Sequence, residues 1–201
     1  MGLVGKKAPD FKASAVINGQ DIVEEFTLKQ FQGRYVVFFF YPLDFTFVCP
    51  TELHAFQEQI EAFESRNTQV VGCSVDSKYT HAAWLRTPPD KGGIQGVTYP
   101  LVSDITKTIA RDFDVLAEDD GIAYRGVFLL DKKGIIRHQL VNDLSLGRNV
   151  DDVIRVIDAL QFHETNGDVC PANWQKGQKS LSASTEGVQT YFQGVKVMAK
   201  S

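Results

Sequence analysis

Cys49-Pro50 opens a stretch in which Leu53, Phe56, Ile60 and Phe63 are spaced for one face of a helix. The run before it, Tyr35-Val36-Val37-Phe38-Phe39-Phe40, is rich in β-formers and too short to cross a membrane. It reads as a buried central strand. Cys49 is therefore expected on a strand-to-helix turn, with Pro50 at the first helical position, where its missing N–H has no partner to lose. Unpaired amides and the positive end of the helix dipole gather there and favour an anion. A thiol in that place is expected to ionise below the free value of about 8.5, and the thiolate is the nucleophile. The competing reading is a cysteine buried as a small apolar residue.

Local sequence removes most reactions that such a cysteine could serve. A disulfide reductase of the C-x-x-C kind needs a second cysteine three residues on, where this chain has Glu52. A phosphate-loop phosphatase needs arginine six residues on, where it has Ala55. None of His54, His81, His138 and His163 carries the signature of a papain-type base. His163 with Cys170 is too sparse for zinc, so no metal and no cofactor is expected. What remains fits attack on a small electrophile such as a hydroperoxide. The O–O bond breaks as sulfur attacks, and donors or a cation nearby stabilise the charge on the leaving oxygen. Thr46 can place a hydroxyl beside the sulfur and Pro42 can shield the pocket, although both residues also suit an ordinary turn.

The elements around this stretch alternate. Phe11 to Ile17 reads as extended, Asn18-Gly19 as a turn into Ile22-Val23, and Thr27 to Phe31 as one helical turn. Thr68 to Val75 is the next strand, and Asp76-Ser77 can cap a helix from Lys78 to Leu85. Residues 87–96 form a Pro- and Gly-rich loop before a short strand at Tyr99 to Val102. Ser103-Asp104 precede a helix to Phe113. Ala123 to Leu130 and Gly134 to Val141 read as a hairpin. Asn149 can cap a helix carrying Val150, Val153, Ile154, Ile157 and Leu160. From His163 the periodicity fades into a polar arm with one more short helix, Thr185 to Phe192. This is an α/β pattern, a mixed central sheet flanked by helices, with residues 1–163 as the domain and 164–201 as a C-terminal arm.

The chain has 201 residues, 43% hydrophobic content and a net charge of −4, with no basic cluster, so nucleic acid and membrane are not expected as partners. The N-terminus lacks the apolar core of a signal peptide, and a cytoplasmic protein is the expectation. Three cysteines, Cys49, Cys73 and Cys170, make no disulfide framework. Cys73 sits in an apolar strand and reads as core. A sulfenic acid must condense with a thiol or risk irreversible oxidation, and an exposed Cys170 on an arm could supply that thiol.

Pro42-Leu43-Asp44-Phe45-Thr46-Phe47-Val48-Cys49-Pro50 resembles the P-x-x-x-T-x-x-C signature of peroxiredoxins. Gly167-Asp168-Val169-Cys170-Pro171-Ala172-Asn173-Trp174 resembles the resolving-cysteine segment of the typical two-cysteine class, which includes alkyl hydroperoxide reductase C. The likeness extends through Ser74-Val75-Asp76-Ser77, Gly121 to Gly126 and Val141-Asn142-Asp143-Leu144. It implies a thioredoxin-like fold and reduction of hydrogen peroxide and organic hydroperoxides. Cys49 then matches the peroxidatic cysteine and Arg125 the arginine that supports its thiolate, with Thr46 and Pro42 in the pocket. Cys170 matches the resolving cysteine, which forms a disulfide with Cys49 across a homodimer. A separate reductant, thioredoxin-like or linked to a flavoprotein, would reopen that disulfide, and the dimers would assemble to decamers. Glu52 and Arg148 match positions that orient the arginine; without the resemblance they read as a first-turn helix charge and a pre-helix charge. A redox sensor or chaperone-like oligomer using the same cysteine is the alternative. Family members sensitive to excess peroxide carry Gly-Gly-Leu/Ile-Gly and Tyr-Phe. Here the loop is Gly92-Gly93-Ile94-Gln95-Gly96 and Tyr191-Phe192 is present, so sensitivity is expected despite Gln95.

Overall fold

The computed structural model describes residues 2–194; the last residues of the expected C-terminal arm, 195–201, lie outside the described residues. Strands β1 (Ala13–Ile17) and β2 (Asp21–Phe26) form an antiparallel pair. Asn18 and Gly19 make the turn with φ of 53° and 74°, the left-handed region that these two residue types tolerate best. A 3-10 turn at Leu28–Phe31 leads to β3 (Tyr35–Phe40), then α1 (Cys49–Glu58), α2 (Ile60–Glu64) and β4 (Thr68–Ser74). There follow α3 (Lys78–Arg86), β5 (Leu101–Ser103), α4 (Thr108–Asp112), β6 (Leu116–Ala117) and β7 (Ile122–Ala123). The chain continues through β8 (Arg125–Leu130), β9 (Ile136–Asn142), α5 (Val150–Asn166) and α6 (Thr185–Gly194).

Seven strands form one mixed sheet in the order β2-β1-β5-β4-β3-β8-β9. β3 runs parallel to β4 and antiparallel to β8. All six residues of β3 are buried, as expected for a central strand covered on both faces. Its aromatic side chains divide by the period of two. Phe38 and Phe40 meet Phe113 and Phe128 in tilted and edge-on contacts. Phe39 points the other way and stacks on Phe56 of α1 with ring centroids 4.3 Å apart. That stack, with the Tyr99 hydroxyl donating to Leu53 O at 2.8 Å, fixes α1 beyond the C-terminal end of β3.

The expected elements are present with three adjustments. The apolar face of Leu53, Phe56 and Phe63 is buried, but Gln59 breaks it into α1 and α2. Ala123 leaves the expected hairpin and pairs with β6 instead. Helix α4 is shorter than expected because Asp104, set before it, accepts from the amides of Ile109 and Ala110 and stands in for the first turn. The chain separates into two compact units, residues 1–150 and 151–201. Among the described residues no helix is long and apolar enough to cross a membrane.

Candidate active site

β3 ends at Phe40, and residues 41–48 carry the chain to α1. Within that loop Phe45 has a φ of 54°, a conformation unusual for a bulky residue and characteristic of strained functional loops. Cys49 is the first residue of α1 and Pro50 the second, one position later than expected, because Val48 is already helical in its backbone and acts as the N-cap. Cys49 and Glu52 are three residues apart and so share a helix face. Antiparallel pairing of β3 with β8 brings the start of β8 alongside the end of β3, which places Arg125 opposite that face.

Arg125 Nη1 lies 3.4 Å from Cys49 Sγ and 2.6 Å from Glu52 Oε2. Its Nε donates to Leu144 O at 2.7 Å, so the guanidinium is held from two sides. Arg148 reaches the same carboxylate: its Nε donates to Glu52 Oε1 at 2.7 Å and Nη2 to Oε2 at 2.9 Å. Arg148 Nη1 donates to Phe40 O and Gly126 O, tying both strands to the site. All four side chains are buried: Cys49 0% exposed, Glu52 and Arg125 4%, Arg148 8%. Burial pulls the Arg148 guanidinium below its ordinary value, with Glu52 opposing. The cluster gives the sulfur a cation at hydrogen-bonding distance and a helix N-terminus, both of which favour an anion there.

Cys49 borders a cavity of about 360 Å³ that Pro42, Thr46, Ile122, Arg125 and Leu144, among others, also line. Thr46 Oγ1 donates to Leu43 O at 2.9 Å. With its proton committed to the backbone, the hydroxyl is left as an acceptor towards anything bound in the cavity. Six of the seven expected site residues therefore meet in one place.

Cys170 belongs to the unit of residues 151–201. It is half-buried rather than exposed as expected, because its thiol donates to Ala159 O of α5 at 3.6 Å and a bridge between Val169 and Leu181 closes the segment around it. Burial pushes the Cys170 thiol up from its ordinary value. Cys73 is core, as expected, and burial raises its thiol strongly.

Sequence reasoning missed the buried support of the loop. Tyr41 Oη donates to Asp44 Oδ1 at 2.8 Å, and His81 Nδ1 lies 2.7 Å from Asp44 Oδ2. The Asp44 amide in turn donates to Asp76 Oδ2 at 2.9 Å. Burial lowers His81, but the Asp44 carboxylate outweighs it and raises the imidazole. The available signal was an aspartate inside an otherwise apolar loop, which needs partners once buried. His54, also unassigned by sequence, holds the 92–96 loop against α1 through its Nε2, 3.1 Å from Gly93 O.

Residues 4–139 match the family model described as AhpC/TSA family. The chain belongs to the AhpC/TSA family. Residues 159–194 of this AhpC/TSA chain also match the C-terminal domain of 1-Cys peroxiredoxin. The chain is 47% identical over 190 residues to chicken Peroxiredoxin-1, covering 94% of each protein. It is 50% identical over 191 residues to alkyl hydroperoxide reductase C of Helicobacter pylori, covering 94% of this chain and 96% of that one. Its fold matches the reduced 2-Cys peroxiredoxin of Plasmodium vivax with a TM-score of 0.93 at 52% identity, over 96% of this chain and 100% of that one. The AhpC/TSA chain thus has the thioredoxin-like peroxiredoxin fold, and its activity class is thiol-dependent peroxide reduction.

Proposed function

We propose that Cys49 is the peroxidatic nucleophile for hydrogen peroxide and organic hydroperoxides. Its thiolate attacks one peroxide oxygen; the S–O bond forms as the O–O bond breaks, leaving a sulfenic acid. The departing hydroxide or alkoxide takes up a proton and leaves as water or alcohol. The observation that carries this reading is Arg125 Nη1 at 3.4 Å from Cys49 Sγ, at the edge of the cavity that Pro42 and Thr46 also line. The guanidinium meets the charge that shifts from sulfur to the leaving oxygen, while Thr46 accepts from the peroxide O–H. Glu52 and Arg148 are positioning residues that hold Arg125. Arg125→Met is expected to lower the second-order rate of peroxide reduction about 10²- to 10³-fold, the usual effect of losing one such donor. Stopped-flow measurement of peroxide consumption checks this, and a loss below about threefold would contradict the assigned role.

In this reading Cys170 of the partner subunit condenses with the sulfenic acid, expelling water and forming a disulfide. A thioredoxin-like or flavoprotein-linked reductant then returns both thiols. Residues 164–194 act as the arm that presents Cys170. The outer edge of β9 supports a dimer: residues 5–8 cover only its beginning, and among the described residues no strand pairs beyond it. Phe47, 93% exposed, and Tyr79, 68% exposed, offer apolar surface for larger assembly. A cytoplasmic location belongs to the same proposal.

The loop around Gln95 bears on over-oxidation. Gly93 has no room for a side chain, since a Cβ there would lie 1.9 Å from Thr87 O, and Ile94 is fully buried. Gln95 itself is exposed, so its departure from glycine leaves the packing on α1 intact. That packing opposes the local opening of α1 that a Cys49–Cys170 disulfide requires. Sensitivity follows: the sulfinic form of Cys49, measured by mass spectrometry after turnover, is expected to grow with peroxide dose. Full activity retained at high dose would count against it.

A further inference from the structure

We infer that a cavity at the other end of the β3–β8 pair binds a small organic anion, a carboxylate or phosphate group on a short apolar body. Arg34 immediately precedes β3, and Leu130 of β8 pairs with Val36. Cys49 lies beyond the opposite end of β3, a separation on the order of 20 Å for a six-residue strand. The two cavities share no lining residue.

The cavity measures about 120 Å³, head-group rather than drug size. Lys7, Lys29, Arg34, Lys132 and Lys133 line it, against two carboxylates, Asp10 and Asp131. Both carboxylates are engaged. Asp10 pairs with Lys29 at 2.8 Å, and Asp131 accepts from the amides of Lys133 and Ile135 and from Arg137 Nε. Among the described residues, Lys7, Arg34, Lys132 and Lys133 make no ion pair. This concentration of positive charge stands on a chain whose net charge is −4.

The decisive atom is Arg34 Nε, which is buried and has no hydrogen-bond partner. Its Nη1 has only a long contact, 3.4 Å to Gln69 Oε1. A buried charged donor without an acceptor is costly and rare in native proteins. An anion seated beside the Arg34 guanidinium would offset that unpaired charge, and guanidinium suits planar carboxylate and tetrahedral phosphate alike. Leu28, Phe31, Val36 and Leu130 give the apolar wall on which the rest of such a ligand would lie.

The test is calorimetric titration of the reduced full-length protein with phenyl phosphate and with benzoate at constant ionic strength. One site per subunit is expected, weakened about tenfold or more by Arg34→Gln and by Lys132→Met, and retained in Cys49→Ser. Tighter phenyl phosphate identifies phosphate as the natural head group; tighter benzoate identifies carboxylate. Binding undiminished in both cavity variants would place the anion elsewhere, beside Arg125 included, and overturn the inference. So would the absence of saturable heat up to about 10 mM of either probe. Lys132 is exposed, so its variant keeps the test valid if Arg34→Gln does not fold.

Discussion

Cys49→Ser is expected to abolish peroxide consumption, a loss on the order of 10⁶-fold, the scale seen when a covalent catalyst loses its nucleophile. A serine hydroxyl at this place needs a base to become a nucleophile, and the Glu52 carboxylate nearby is committed to Arg125 and Arg148. The Arg125 guanidinium can stabilise an anion, but it cannot take a proton from an alcohol. Cys170→Ser separates the two halves of the cycle. Its first turnover should be normal, since Cys170 lies in the other unit of the chain and outside the set of residues lining the cavity. The peroxide-induced covalent dimer on a non-reducing gel should disappear. Because the Cys170 thiol donates to Ala159 O, formation of that dimer requires the contact to break. Turnover persisting in Cys49→Ser would end the account of Cys49 as nucleophile, and a dimer band surviving in Cys170→Ser would end that of Cys170.

The second large effect is on stability. Two buried guanidiniums share the Glu52 carboxylate, with Oε2 at 2.6 Å from Arg125 and Oε1 at 2.7 Å from Arg148. Glu52→Gln keeps the shape and removes the charge. Two cations are then left facing each other in the interior, and breaking a buried pair in this way costs about 3–5 kcal/mol. Total stabilities are about 5–15 kcal/mol, so the loss is a large fraction of the whole. Urea unfolding is expected to show it as a lowered midpoint at unchanged slope. Glu52→Gln combined with Arg148→Met should recover part of the loss, since the second change removes one unpaired charge. A single-variant loss below about 1 kcal/mol would mean that the carboxylate is not what holds the cluster together.

The sequence exposed local features well and distant partnerships poorly. The run at residues 35–40 could only be a strand covered on both faces, and the spacing of Leu53, Phe56 and Phe63 required a helix after it. Cys49 at their junction followed from those two periods alone. Arg125 is different. On its own it reads as a surface arginine on a strand, and the resemblance marked it before the structure showed it 4% exposed beside the sulfur. Glu52 and Arg148 were balanced between a role in the site and ordinary helix-end charges. Their pairing depends on β8 folding back along β3, a contact across 96 positions that no local pattern encodes. His81 was given no role, because its meaning lies in Asp44, 37 residues away.

What the residues determined alone is therefore the strand-to-helix seat of Cys49 and the core that fixes it, since hydrophobic period and backbone capping act over a few residues. Tertiary structure decided the electrostatics: which cation meets the sulfur, which carboxylate holds that cation, and which basic side chains converge on the far cavity. Charges reach their partners through space, and the order of residues along the chain does not record those distances until the sheet has closed.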